Sequence, residues 1–334
     1  MVKPSALGDV IHTLPAVHAL HLAAPNATIN WVVNTEWAPI LEGISHIHKR
    51  ILFPRREWKG WRDILKAREW ANEAIGPIKP DLVVDFQGLL RSGLMVRKAG
   101  GKHSVGFERS REGASRFYDQ RVEVPDWENT HAVERYMQLA HACGVPKDAE
   151  TTFSLSDGEP VDEALLPPKG TPWVLLHPFS RGIGKSFSAN EVIDLCNHLS
   201  PLPVVVVGVG DFLKYRHLPY NGIDLMNKTS LRQLIWLLRQ ANWTLSVDSG
   251  PMHLAAALTD NLLSVHTWTN PKMVGPWNPN AFVWRDSNIL KVTEIKPLDF
   301  KEDRYRRSEF AARRDLLSAD DREEIARFVK VQVQ

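Results

Sequence analysis

Only two cysteines, Cys143 and Cys196, occur in 334 residues. That is too few for a disulfide framework or a Cys-based zinc site, and it suits a reducing compartment. No apolar run approaches the roughly 20 residues that cross a bilayer, and the N-terminus lacks the long apolar core of a signal peptide. An excess of one charge is also missing. Lys+Arg number 41 against 39 Asp+Glu, a formal net charge of +2, so there is no bulk electrostatic case for a dedicated nucleic-acid binder. No repeat of solenoid length is visible. His46-x-His48 has no partner ligands at a convincing metal spacing and no HExxH exists, so no protein-built metal site is expected.

What is present is the composition of an ordinary soluble globular chain, 43% hydrophobic and 24% charged. Short β-branched runs alternate with helix-length amphipathic stretches. The first half reads as strands at Ile29–Val33, Leu82–Asp85 and His103–Phe107, with helices at Val10–Ala23 and Trp61–Ile75. The second half repeats the rhythm more clearly. Strands are expected at Trp173–His177, Val204–Gly208, Thr244–Asp248 and Leu262–Thr267. Helices are expected at Asn190–Leu199, Leu231–Ala241 and Met252–Leu258. A continuous apolar strand such as Val204–Val207 is buried on both faces, the mark of a parallel sheet covered by helices. Ser154–Pro172 is rich in Pro, Gly and acidic residues and cannot continue either sheet. The pattern predicts an α/β domain over 1–157, a linker over 158–172 and a second α/β domain over 173–315. A C-terminal helix over 316–334 follows, opened by Ser318 with Asp320 and Asp321 in its first turn; it would be free to pack back on the first domain. Met1-Val2-Lys3 leaves only about two residues for a central strand that usually needs five or six. Either the first strand is clipped or the true start lies upstream, and this end is expected to be the least stable part of its sheet.

Three strand-to-helix turns bear groups that suit chemistry at the carboxyl edge of a parallel sheet. The first is Lys3-Pro-Ser-Ala-Leu-Gly-Asp9, where Ser5 and Asp9 would face a cleft. A carboxylate there would take a proton from a substrate hydroxyl, or serve only as a first-turn helix acid. The second, His177-Pro-Phe-Ser-Arg-Gly-Ile-Gly-Lys185-Ser186, is a near miss of the P-loop because Phe179 stands where the first glycine belongs. Its Lys185 and Ser180 would reach a phosphate, or merely decorate a flexible loop. The third is Asp248-Ser249-Gly250-Pro-Met-His253. A helix opening after Ser-Gly is an anion site, and Asp248 would meet sugar hydroxyls or orient Lys185. Asp248 would otherwise be an N-cap and His253 a packed helix histidine. Gly208-Val-Gly210 lacks the third glycine of a dinucleotide fingerprint; Asp211 beside it would touch a ribose, or more commonly mark a plain surface turn.

Twelve tryptophans are a high count, and in the first domain they interleave with cations: Arg55, Arg56, Trp58, Lys59, Trp61, Arg62, Lys66, Arg68 and Trp70, followed by Arg91, Arg109 and Arg111. Such a surface suits an acidic, partly apolar partner, an anionic glycolipid at a membrane ahead of a nucleic acid.

Together these blocks resemble glycosyltransferase family 9, the ADP-heptose:lipopolysaccharide heptosyltransferases. The resemblance runs over nearly the whole chain. It is carried by Lys3 to Pro15, by Val84-Asp-Phe-Gln-Gly-Leu-Leu-Arg-Ser92, His131-Ala-Val-Glu-Arg135, His177-Pro with Lys185, Val247-Asp-Ser-Gly-Pro-Met-His253 and Thr269-Asn-Pro271. It implies a GT-B fold, two Rossmann-like domains facing across a cleft, and an inverting transfer that needs no metal or other cofactor. By that likeness Asp9 is the base, and Lys185 with the Ser249-Gly250 helix start holds the diphosphate. Ser180, Asp248 and His253 complete the donor side. Ser5, Arg55, Arg56, Lys59, Arg62, Arg91, Arg109 and Arg111 would take the acceptor. The implied donor is ADP-heptose or a similar nucleotide sugar, and the implied acceptor an anionic Kdo-bearing lipid A. The implied place is the cytoplasm, with transient contact at the inner-membrane surface. Phe187 stands where the family more often has Trp, and the turn at Gly208–Phe212 lacks its usual Gly-x-Pro-x-Glu. The alternatives are a P-loop-like phosphate-binding regulator, and a GT-B protein that uses another nucleotide sugar or has lost transfer.

Overall fold

The computed structural model describes residues 1–57, 64–211, 213, 216–297 and 300–333, apart from the side chains of 64 and 300–304. The chain divides into two compact units, Met1–Ser156 and Asp157–Gln334. The segment expected as a linker joins the second unit: Glu159 N–H donates to Arg232 O at 3.0 Å. Next to it, Gly158 has φ +83° and leaves no room for a Cβ, which would sit 2.4 Å from that same carbonyl.

The first unit runs α1 (Leu7–Ala23), β1 (Ile29–Asn34), β2 (Ile47–Phe53), α2 (Ile64–Ala74), β3 (Leu82–Asp85), α3 (Leu90–Ala99), β4 (His103–Phe107), β5 (Gln120–Val122) and α4 (Ala132–Ala142). Residues 61–63 of the expected second helix lie outside the described residues. The pairs β1-β2 and β3-β4-β5 are parallel. Val2 joins them, bridging Val32 on one side and Asp85 on the other. Its N–H donates to Val84 O at 2.9 Å and its carbonyl accepts from Phe86 N–H at 3.0 Å. The central strand is as short as the sequence implies. Counted with Met1–Lys3 first, the spatial order β2-β1-(1–3)-β3-β4-β5 is the doubly wound one, and it reverses direction between Lys3 and Asp85. Val32, Ile51, Phe53, Val83, Met95 and Val96 fill one face. On the other, α1 packs against α4.

The second unit runs β6 (Val174–His177), α5 (Ala189–Leu199), β7 (Val204–Gly208), β8 (Gly222–Met226), α6 (Leu231–Gln240), β9 (Trp243–Val247), α7 (Gly250–Leu258), β10 (Leu262–Val265), α8 (Pro271–Val274), β11 (Phe282–Arg285), β12 (Asn288–Lys291), α9 (Phe300–Ala312) and α10 (Ala319–Val333). Its sheet order, β8-β7-β6-β9-β10-β11-β12, is again doubly wound, with its reversal between β6 and β9. The strands are parallel except for the β11-β12 hairpin. Val204 to Val206 are wholly buried, each stabilising the unit by roughly 1.5–3 kcal/mol. Helix α10 is built into this unit. Ile325, Ala326 and Val329 enter the core beside Val192 and Leu195 of α5. The buried Glu191 accepts from the N–H groups of Leu316 and Leu317, both at 2.7 Å. Ser318 and Asp321 cap α10 reciprocally: Asp321 N–H donates to Ser318 Oγ at 3.1 Å, and Ser318 N–H to Asp321 Oδ2 at 3.0 Å.

Candidate active site

In an open doubly wound sheet, ligands bind beyond the carboxyl ends of the strands where the order reverses. Both units carry their sequence-predicted motifs at that position. In the first unit, Lys3 leads through Pro4–Ala6 into α1, whose third residue is Asp9. The Asp9 side chain is 41% exposed, enough to meet a ligand. Its Oδ2 accepts from Ala6 N–H at 2.9 Å and its Oδ1 from the Tyr136 hydroxyl at 3.0 Å. The buried Lys3 places Nζ 3.8 Å from Oδ1 and 4.7 Å from the Tyr136 ring centre, while donating to Phe86 O at 3.0 Å. Burial lowers the Lys3 pKa, with Asp9 and Asp85 opposing. Burial, with Asp9 second, raises that of Tyr136 well above the usual phenol range. Tyr136 is thus a hydroxyl donor. A carboxylate offers about four lone-pair sites, so these partners orient Asp9 and leave capacity for a substrate hydroxyl.

Ser5 ties the two switch-point loops together, its N–H donating to Gln87 Oε1 at 3.2 Å. Arg55 donates to Ser5 Oγ at 3.4 Å. Arg91 stands over Phe53, and burial followed by the charge of Arg55 lowers its pKa. Ser5, Arg55 and Arg91 are therefore brought together. The other predicted acceptor residues are dispersed. Arg56 pairs with Glu36 at 3.3 Å, and Arg109 pairs with Glu128 at 2.6 Å beside the Trp127 ring. Arg111 is exposed at the turn where its N–H donates to Gly88 O at 2.8 Å. Lys59 and Arg62 lie outside the described residues.

In the second unit, Lys185 and the buried Asp248 form an ion pair, Nζ to Oδ2 at 2.6 Å, with Lys185 partly exposed. Thr269 donates to the same oxygen at 2.5 Å. Burial opposes charge on Asp248, yet Lys185, with His266 and His253 nearby, holds its carboxyl down at about 2. Burial pushes both His177 and His266 down to about 4, so both rings are neutral at pH 7. Ser249 Oγ lies 3.3 Å from His177 Nδ1, just ahead of α7 with Gly250 as its first residue. His253 is buried on the next turn. The loop bearing Lys185 is closed on itself. Ser180 N–H donates to Ser186 Oγ at 2.9 Å, and that hydroxyl donates to Ser180 O at 3.0 Å. Thr267 and Trp268 hold it from the side, donating to Gly184 O at 2.7 Å and Ile183 O at 3.0 Å. The P-loop alternative fails here. Helix α5 starts only at Ala189 behind its Ser188 cap, so Lys185 does not open a helix. Ser186 is spent on the loop's own backbone. Among the described residues no group of three or more His, Cys, Asp or Glu is arranged to hold a metal ion.

Residues 73–298, more than half of the chain, match the family model for glycosyltransferase family 9 (heptosyltransferase). The chain belongs to this family of glycosyltransferases. It is 29% identical over 298 residues to lipopolysaccharide heptosyltransferase 1 of Escherichia coli K12, covering 85% of this chain and 92% of that one. It is 30% identical over 292 residues to the protein of the same name from Pseudomonas aeruginosa PAO1, covering 83% and 80%. Among solved structures, the E. coli heptosyltransferase WaaC with ADP superposes with a TM-score of 0.70 at 24% identity, covering 93% of this chain and 98% of that one. A family 9 glycosyl transferase from Veillonella parvula gives 0.75 at 18% identity, covering 99% and 96%. The fold is the GT-B fold that the sequence blocks implied.

Several residues around the family 9 motifs escaped sequence reasoning. Tyr136 directly follows the His131–Arg135 block, which points to this helix but assigns Tyr136 no role. Thr269 opens the quoted Thr269-Asn-Pro271 block. Trp268 and His266 carry no signal of their own, since an apolar strand end with an aromatic is the commonest kind of core.

Proposed function

We propose that this glycosyltransferase moves a heptose, with inversion, from an ADP-sugar to the Kdo-containing inner core of lipopolysaccharide. One observation supports this reading above the others. The two reversal points carry complementary equipment, an oriented, half-exposed carboxylate in one unit and a lysine–helix-terminus anion cradle in the other. Asp9 removes the proton from an acceptor hydroxyl as that oxygen attacks the anomeric carbon. The bond from that carbon to the diphosphate breaks, and charge grows on the departing ADP. Lys185 and the N–H groups that open α7 at Gly250 meet that charge, with Ser180 on the same loop. In this reading Asp248 and Thr269 aim the lysine, and no step is assigned to a metal. Ser5, Arg55 and Arg91 take the anionic acceptor, with Arg56, Lys59, Arg62, Arg109 and Arg111 as a wider basic field.

An acceptor of this kind is membrane-borne. No helix among the described residues is long and apolar enough to cross a membrane. The protein would therefore visit the cytoplasmic face of the inner membrane through its basic and aromatic first unit. Mass spectrometry of a Kdo-bearing acceptor incubated with candidate ADP- and UDP-sugars tests the transfer. The expected product gains one heptose from the ADP-sugar alone, and a product formed only from a UDP-sugar would overturn the donor assignment. Co-flotation with anionic vesicles at low salt tests the membrane contact, which its absence would refute.

A further inference from the structure

Helix α9 enters the donor side of the second unit through two adjacent arginines that do different work. Arg306 is an anchor. It donates to Thr267 O at 3.2 Å and forms a two-pronged ion pair with Asp286. Two residues beyond Ser308, Phe310 is buried in the core, and the helix backbone there lies against the Lys185 loop. A Cβ on Gly184 would come within 2.8 Å of the Phe310 carbonyl carbon. Arg307, fixed between these anchors, is exposed and holds its guanidinium 5.2 Å from the centre of the Trp268 ring. Lys185 stands over the same ring at 4.6 Å. Among the described residues, no acid or carbonyl pairs with Arg307.

The charge balance of the cradle explains why a second cation matters. Lys185 is already matched by Asp248 at 2.6 Å. His177 and His266 are neutral at pH 7, and the start of α7 supplies about half a positive charge. A leaving diphosphate is multiply negative. A guanidinium fork matches phosphate oxygens two at a time, and one with no acid partner among the described residues can turn to them without breaking an ion pair among those residues. We propose that Arg307 is a second diphosphate-binding residue, gathered with Lys185 at the Trp268 ring. The proposal rests on the reading of the second unit as the ADP-sugar site.

Equilibrium titration of the full chain with ADP, and with adenosine as a probe that lacks phosphates, tests it. Arg307→Gln should weaken ADP binding by roughly 10- to 100-fold, the range for losing a hydrogen-bonded charge, while adenosine binding stays as in the wild type. Arg307→Lys should recover part of the loss. Arg327→Gln, which removes an exposed arginine from α10, should bind ADP like the wild type. Unchanged ADP affinity in Arg307→Gln, equal losses for ADP and adenosine, or an equal loss in Arg327→Gln would each overturn the assignment. A wild-type chain that binds no ADP would instead sink the donor reading beneath it, and this proposal with it.

Discussion

The Tyr136 hydroxyl donates to Asp9 Oδ1 at 3.0 Å, joining two residues 127 positions apart. It is made possible by the packing of α4 on α1, and it turns a first-turn helix acid into a carboxylate with a fixed direction. Asp9→Asn should lower transfer by about 10²–10⁴-fold, the usual contribution of a positioned base, with ADP-sugar affinity retained. Tyr136→Phe should cost roughly tenfold in kcat, about 1.4 kcal/mol, because the proposed base survives but loses one of its guides. Steady-state kinetics with separate donor titrations check both; full turnover in Asp9→Asn would remove the residue from the mechanism.

Asp248 is buried, so removing Lys185 leaves its charge uncompensated. Lys185→Met should reduce the stability of the second unit by about 3–5 kcal/mol, as well as weakening donor binding. The double substitution Lys185→Met, Asp248→Leu should restore much of the stability and none of the binding. Denaturant unfolding of the three proteins measures this, and a single variant as stable as the wild type would contradict it.

The two buried histidines give a pH signature. His177 and His266 have folded values near 4, well below the usual 6.5. Between those limits the unfolded chain binds protons that the folded unit refuses, so their contribution to stability is full above about 6.5 and is lost as pH falls toward 4. Their ring resonances should titrate near pH 4 in NMR spectra. In His266→Asn, the slope of stability against pH between 4 and 6.5 should be shallower than in the wild type. A ring midpoint near 6.5 would contradict the burial argument.

Gly184 has φ +71° and abuts the backbone of α9. Gly184→Ala incurs strain from the left-handed backbone, of about 1 kcal/mol or more, and a steric clash as well. The expected outcome is weakened ADP-sugar affinity with little change at the acceptor, read as a rise in donor KM against a constant acceptor KM. Equal donor KM in the variant would mean the loop adapts freely.

The legible parts of this protein are those where local pattern and long-range role coincide. Val204–Val207 reads as a doubly buried strand because nothing but apolar residues would survive there. The helix expected at Asn190–Leu199 is found at Ala189–Leu199, opened by a reciprocal Ser188–Glu191 cap. The motif turns after Lys3, His177 and Val247 were visible because parallel α/β sheets place chemistry at strand ends. What local sequence does not carry is pairing at a distance. The edge strand β2 reads as a charged stretch, His46 to Arg50, because only one of its faces is buried. Helix α9, dense in Arg, Lys and acids, has no apolar stripe to declare it. Nor does any spacing rule disclose that Arg56 and Arg109 are each engaged by a nearby glutamate, while Arg55 turns to Ser5.

The contact between Gly184 and Phe310 couples the loop proposed to grip the nucleotide to a segment near the far end of the polypeptide. Lesions in that late helix would therefore masquerade as defects of donor affinity, although they touch none of the signature motifs. Among kindred enzymes whose tails differ, the grip on the sugar nucleotide should drift even where every recognised block is intact.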